Sequence, residues 1–176
     1  MTAVEEIILI ALNTLPDLVT IVPENRQELT TEGGLNVSAD IKRFKKVVER
    51  MHEKDIEVSY FIEPDLKQID AVVQTGADMV EFHTGTYANA KIKAAIDNEL
   101  SRIAKASLLA SEHGLKIAAG HGLNYINTQA ICNIPQICEL SIGHSIMARA
   151  IHVGTYHAVK EMIHLIKTSV MMRNKE

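Results

Sequence analysis

Short, almost unbroken apolar runs alternate along this chain with longer segments whose apolar positions recur at helical spacing. The runs DLVTIVP (17–23), IEVSYFIE (56–63), ADMVEFHTG (77–85), LKIAAGHG (115–122) and CELSIGHS (138–145) predict five buried strands. The intervening pattern predicts helices over 4–12, closed by Pro16, and over 39–54, where the apolar positions are strongly one-sided. Further helices are expected over 65–76, stopping at Gly76, over 97–113, stopping at Gly114, over a short stretch 128–134, and over 154–172. A polar loop, ENRQELTTEGGLNVS, follows the first strand. It exceeds the about 2–6 residues usual for a β-to-α connection, and long loops at that position often serve as lids.

Uniformly apolar strands separated by helices imply a parallel sheet covered by helices, hence an α/β fold. The four strand-to-strand intervals between residues 18 and 138 average 30 residues, close to the roughly 31 per unit of a (β/α)8 barrel. The pitch fits a barrel while the count stops at five. A doubly wound five-stranded sheet of flavodoxin type is the alternative, but such a sheet opens on a strand and this chain opens on a helix. The expectation is therefore a (β/α)8 TIM-barrel type fold, N-terminally truncated, with residues 1–176 forming one domain equivalent to the C-terminal five-eighths of the barrel.

Composition changes this picture little. The 176 residues are 47% hydrophobic, enough for a sizeable core. The net charge of −4, with acids and bases interleaved, argues against nucleic acid as a partner. The apolar N-terminal stretch is interrupted by acids and a proline, so neither a membrane span nor a signal peptide is expected. Cys132 and Cys138 match no zinc or disulfide pattern and read as buried reduced thiols. A reduced cytoplasmic protein is the default expectation from these readings.

Candidate chemistry collects at the carboxyl ends of the strands, where ligands bind in either fold. Glu63 and Asp65 follow the second strand, Glu81, His83 and Thr84 the third, His121 the fourth, and Gly143, His144 and Ser145 the fifth. His121 stands between Gly120 and Gly122 and is a candidate proton donor or acceptor, because imidazole titrates near neutral pH. Alternatively its ring only ties down a loop. IGHSI, with a glycine before a helix start, suits a phosphate cup; a plain turn bearing a surface histidine is the other reading. Glu81 and His83 alternate, share one strand face, and read as a buried structural network. His52, His113, His152, His157 and His164 fall on helices or their ends and read as solvated or packing residues. No ligand spacing specifies a metal site.

VPENRQELTTEGGL (22–35), VEFHTGTYANA (80–90), KIAAGHGLNYIN (116–127) and ELSIGHSIMARAIHVG (139–154) together resemble the pyridoxine 5′-phosphate synthase family, in order and along essentially the whole chain. The resemblance implies a (β/α)8 barrel with extra helices that assembles through dimers into homo-octamers. It implies condensation of 1-deoxy-D-xylulose 5-phosphate with 3-amino-2-oxopropyl phosphate to pyridoxine 5′-phosphate, phosphate and water, with no metal or organic cofactor. On the matching positions, His121 corresponds to the proton donor. Gly122, Gly143 and His144 correspond to the aminoketone phosphate site, and Thr30 to a contact with the deoxyxylulose phosphate on a closing loop.

The family pattern also contains about three earlier strands, bearing an Asp-His pair, a His-x-Arg motif and a catalytic glutamate just before the position of Met1. These motifs are not in this sequence. The expectation is a fragment with little activity of its own, either a part of the synthase or a phosphate-binding remnant.

Overall fold

The computed structural model describes residues 1–24 and 33–174. Helix α1 (Glu5–Thr14) ends where Leu15 turns left-handed, at φ 53°, and donates its amide to Ala11 just before Pro16. Strand β1 (Leu18–Ile21) follows, then a single 3₁₀ turn (Val37–Ala39) and α2 (Ile41–His52). The Asp40 carboxylate caps α2 by accepting the Arg43 amide, so the helix starts two residues later than its periodicity predicts. After β2 (Glu57–Ile62), Asp65 caps α3 (Leu66–Thr75) in the same way, and Gly76 ends it at φ 79°.

Strand β3 (Met79–His83) is followed by a short helix, α4 (Gly85–Asn89), and then by α5 (Lys93–Glu112). Sequence pattern missed α4, whose five residues are too few to show a period. Strand β4 (Lys116–Gly120), α6 (Thr128–Cys132) and β5 (Glu139–Ser141) come next, and α7 (His144–Val153) and α8 (Thr155–Arg173) close the chain. The expected strand over 138–145 is therefore only three residues long, and its last two residues begin α7. Among the described residues no helix is long and apolar enough to cross a membrane.

All four strand pairs are parallel, and the spatial order is β1-β2-β3-β4-β5. A flavodoxin-type sheet would carry its second strand outside its first. Sequential order with a helix after each strand is a sector of a (β/α)8 barrel. The two alternatives left open by pitch alone are thereby resolved in favour of the barrel.

The strands are less uniform than their sequence suggests. Val58, Tyr60, Ile62, Val80, Phe82, Ile117 and Ala119 alternate onto one face and are fully buried. All but Ala119 join Phe44, Val47, Val48, Met51, Ile69 and Val72 from α2 and α3 in the main core. The other face carries Glu57, Ser59, Phe61, Glu81, His83, Lys116, Glu139 and Ser141, and it corresponds to the inside of the barrel. A second cluster of Tyr87, Ile103, Ala119, Leu123, Ile131 and Ile134 fastens α4, α5 and α6 beside β4. Cys132 is buried as expected, but Cys138 is exposed, because it precedes the short strand β5 at the sheet margin.

Phe82 lies at the centre of the outward face with no exposed surface. Phe82→Ala is expected to lower stability by about 3–5 kcal/mol, through lost burial and the cavity left behind. Urea denaturation followed by far-UV circular dichroism will measure it.

Candidate active site at the strand ends

The register pairs Phe61 with Glu81 and Ala118, and His83 with Gly120 and, through it, Ser141. Side chains paired in register share a face, so three strand ends aim their polar groups at one region.

Glycine before His121 is a steric requirement. A Cβ on Gly120 would strike Oε1 of Glu81 and lie 2.9 Å from Cβ of Ser141. Glycine after it meets two demands at once. Gly122 sits at φ 77°, and a Cβ there would come within 2.5 Å of Cβ of Ala88 on α4. His121 itself is left-handed at φ 79°, a conformation that costs a non-glycine residue about 1–3 kcal/mol and persists only where its surroundings impose it. Thr84 imposes it. Its amide and hydroxyl both donate to the Gly120 carbonyl at 2.8 Å, and the hydroxyl also reaches the His121 carbonyl at 2.7 Å. Downstream, Asn124 and Asn127 knit the turn together, and Tyr87 donates to the Asn127 carbonyl at 2.7 Å. The His121 ring is exposed on this rigid turn.

His83 and Glu81 share a face as expected, but they have different partners. Nδ1 of His83 lies 2.6 Å from Oε1 of Glu63. Glu63 also accepts the Gly34 amide at 3.3 Å and Arg102 of α5 at 3.2 Å, and Arg102 pairs in turn with Glu99. Burial pushes the Glu63 carboxyl up, yet the His83 ring, Arg102 and the Gly34 amide together outweigh it, and the group titrates below the usual carboxylate range. Glu81 moves the other way. Burial raises it and nearby Glu139 adds to the rise, against a lowering hydrogen bond from Ser141. One inner face thus holds a carboxylate kept ionised and a carboxyl disposed to keep its proton, the pairing of environments that acid–base catalysis uses. Sequence reading placed Glu63 among the polar residues at the strand ends without assigning it a partner, and it passed over Arg102, whose place on a helix gave no signal.

Gly143 caps the start of α7, and His144 is its first residue; both are exposed. The Ser145 hydroxyl donates to the Leu123 carbonyl at 2.9 Å, which ties the α7 N-terminus to the His121 turn. First-turn amides of a ten-residue helix beside that turn can receive an anion. Thr30, together with most of the polar loop, lies outside the described residues. His52 pairs with Asp78 at 2.8 Å near the opposite end of β3, and His113, His152, His157 and His164 are exposed on helices or at their ends, as expected. Among the described residues no three His, Cys, Asp or Glu side chains form a metal-holding group.

The two carboxyl groups generate predictions of opposite sign. Lowered in the fold, Glu63 contributes stability present above its unfolded value and lost as pH falls through its folded value. Glu63→Gln is therefore expected to flatten the stability loss between neutral pH and about pH 3. Raised in the fold, Glu81 contributes stability present below its unfolded value and lost as pH rises through its folded value. Glu81→Gln is expected to be the more stable chain at neutral pH, with the gap closing in acid. Urea midpoints across a pH series check both. Gly122→Ala is expected to cost about 1–3 kcal/mol, read from the same denaturation curves.

The sequence comparisons agree with this geometry. Residues 1–168 match a family described as pyridoxal phosphate biosynthesis protein PdxJ. A pyridoxine 5′-phosphate synthase of Sulfurihydrogenibium sp. is 53% identical over 157 residues, covering 89% of this chain and 64% of that protein. Proteins of the same name from Synechocystis sp. and Aliivibrio fischeri are 50% and 48% identical, each over 92% of this chain and 67% of their own length. The chain thus spans about two thirds of the length of the curated relatives it matches, or a little less. With a match over nearly all of its length and a strand order that is a sector of the barrel, this chain belongs to the PdxJ family.

Proposed function

We propose that this chain carries pyridoxine 5′-phosphate synthase chemistry, in which 1-deoxy-D-xylulose 5-phosphate and 3-amino-2-oxopropyl phosphate condense to pyridoxine 5′-phosphate, phosphate and water. The reaction class is a transferase-type ring closure, with Schiff-base formation, dehydrations and proton transfers at several carbons. No single side chain performs all of these, so several acid–base groups around one site are required.

The observation that carries this reading is the His121 turn. A strained, clamped histidine at the mouth of a barrel strand, beside a helix N-terminus, suits proton transfer next to a held phosphate. His121 acts as the proton donor. Gly122, Gly143 and His144 hold the aminoketone phosphate through close-lying backbone amides and the positive end of α7. Glu81, disposed by burial to keep a proton, serves the same proton traffic. Thr30 contacts the deoxyxylulose phosphate, and the loop that carries it excludes water from the imine and enol intermediates. The same reading makes residues 1–176 one domain of a cytoplasmic homo-oligomer, an octamer as the family resemblance implies, acting on phosphorylated small molecules and not on nucleic acid or membranes.

A second reading is a phosphate-binding remnant. It is favoured by the open inner face, where Glu139 and Ser141 of β5 are exposed and β1 and β5 each pair on one side only among the described residues.

Turnover of the two phosphorylated substrates by the purified chain, scored for pyridoxine 5′-phosphate, separates the two. His121→Ala is expected to lower kcat by about 10²–10⁴-fold, the range for loss of one general acid or base. It should leave inorganic phosphate binding, followed by ³¹P nuclear magnetic resonance, nearly unchanged. Phosphate binding without turnover in the wild-type chain supports the remnant. Neither binding nor turnover overturns both.

A further inference from the structure

Three buried side-chain polar atoms lack a hydrogen-bond partner among the described residues: Oγ of Ser59, Oγ of Ser107 and Nε2 of His83. The serine hydroxyls sit on a strand and a helix away from the strand ends. Nε2 of His83 is different, because it belongs to a ring only 2% exposed at the centre of the candidate site. A buried polar atom without a partner costs about 1–3 kcal/mol and calls for a functional account.

The contact with Glu63 orients that ring. Glu63 is ionised and therefore only accepts, so Nδ1 of His83 must donate across their 2.6 Å contact. In the neutral ring the other nitrogen is then a bare lone pair. Arg102 and the Gly34 amide hold Glu63 from behind, and Phe61 packs edge-on against the ring at 5.3 Å. The Glu63 contact and the Phe61 packing hold the ring in this orientation.

The His121 ring is the nearest imidazole to this one. The two imidazoles stand 4.7 Å apart, centroid to centroid, at 61°. A Cβ placed on Gly85 would lie 2.5 Å from Nε2 of His83 and 3.3 Å from Cδ2 of His121, so both edges border the same small space. Only glycine at position 85 leaves that space open.

We propose that His83 is a positioning residue for His121, its buried Nε2 accepting a hydrogen bond from the His121 ring and so fixing the orientation from which His121 transfers its proton. No proton leaves the dyad in this role. Glu63 stays ionised and His83 keeps its proton on Nδ1 throughout. The inference rests on the proton role proposed above for His121, and it assigns Glu63, His83 and Arg102 a function beyond the structural network expected of an E-x-H strand.

The test uses the 176-residue chain labelled with ¹⁵N-histidine, in which ring-nitrogen spectra report tautomers with no substrate present. The expected result is a protonated Nδ1 and a bare Nε2 on His83, together with a change in the His121 ring resonances in His83→Asn. That variant keeps a donor to Glu63 at the Nδ1 place and removes Nε2. His83→Gln, which puts a polar group back near the Nε2 place, is expected to restore part of the wild-type His121 signature. In turnover, His83→Asn should lower kcat by about 10–100-fold, the range seen when a group orienting a functional histidine is lost, with KM little changed. His83 protonated on Nε2 would overturn the proposal. So would His121 resonances and kcat that ignore His83→Asn in a chain whose circular dichroism matches wild type. Absence of turnover in the wild-type chain bears on the proposed function alone, since the spectra still decide the contact between the two rings.

Discussion

The parallel pairing of β3 with β4 is the constraint on which the site depends. It sets His83 opposite Gly120 and carries the chain directly into His121. A register slip of one residue would send Glu81 and His83 to the helix-covered face and leave Val80 and Phe82 facing the barrel interior. Burial of Val80, Phe82, Ile117 and Ala119 prevents that slip. Ordinary hydrophobic packing on one face of the sheet thus holds the polar geometry of the other.

The inner face has the marks of a site maintained against its own stability. It holds a histidine at positive φ, a carboxyl raised by burial and an imidazole nitrogen without a hydrogen-bond partner among the described residues. Each is unfavourable in a fold that needed only to be stable, and each is enforced by neighbours with better interactions: Thr84 for His121, the outer core for Glu81, and Glu63 for His83. The cost concentrates at the carboxyl ends of the strands, where ligand chemistry sits in barrels of this type.

Much of this was legible in the chain. The five apolar runs fall on five strands, and the spacing between them matches the barrel pitch. Gly76 terminated its helix as expected, and Pro16 marked the end of α1. Two helices escaped: α4 is too short to establish a period, and α7 lies in the apolar IGHSIMARA stretch, which reads as strand or helix with equal ease and made the expected last strand too long. Cys138 looked buried because its neighbours are apolar, yet position at the sheet margin decides its exposure.

For the site, the sequence alone singled out His121 between its glycines and the Gly143-His144 pair, since glycine spacing and residue type are local properties. It also put Glu81 and His83 on one face, because alternation along a strand is local too. It could not say which partner each would find. Glu63 reaches His83 across 20 residues of chain, Arg102 reaches Glu63 across 39, and the clamp from Thr84 to His121 spans 37. Such contacts depend on register and helix placement, which are outcomes of packing the whole sheet. Residue chemistry and the barrel pitch were determined by the sequence itself; the pairing of an ionised glutamate with one histidine, and of that histidine with another, was decided only when the strands came together.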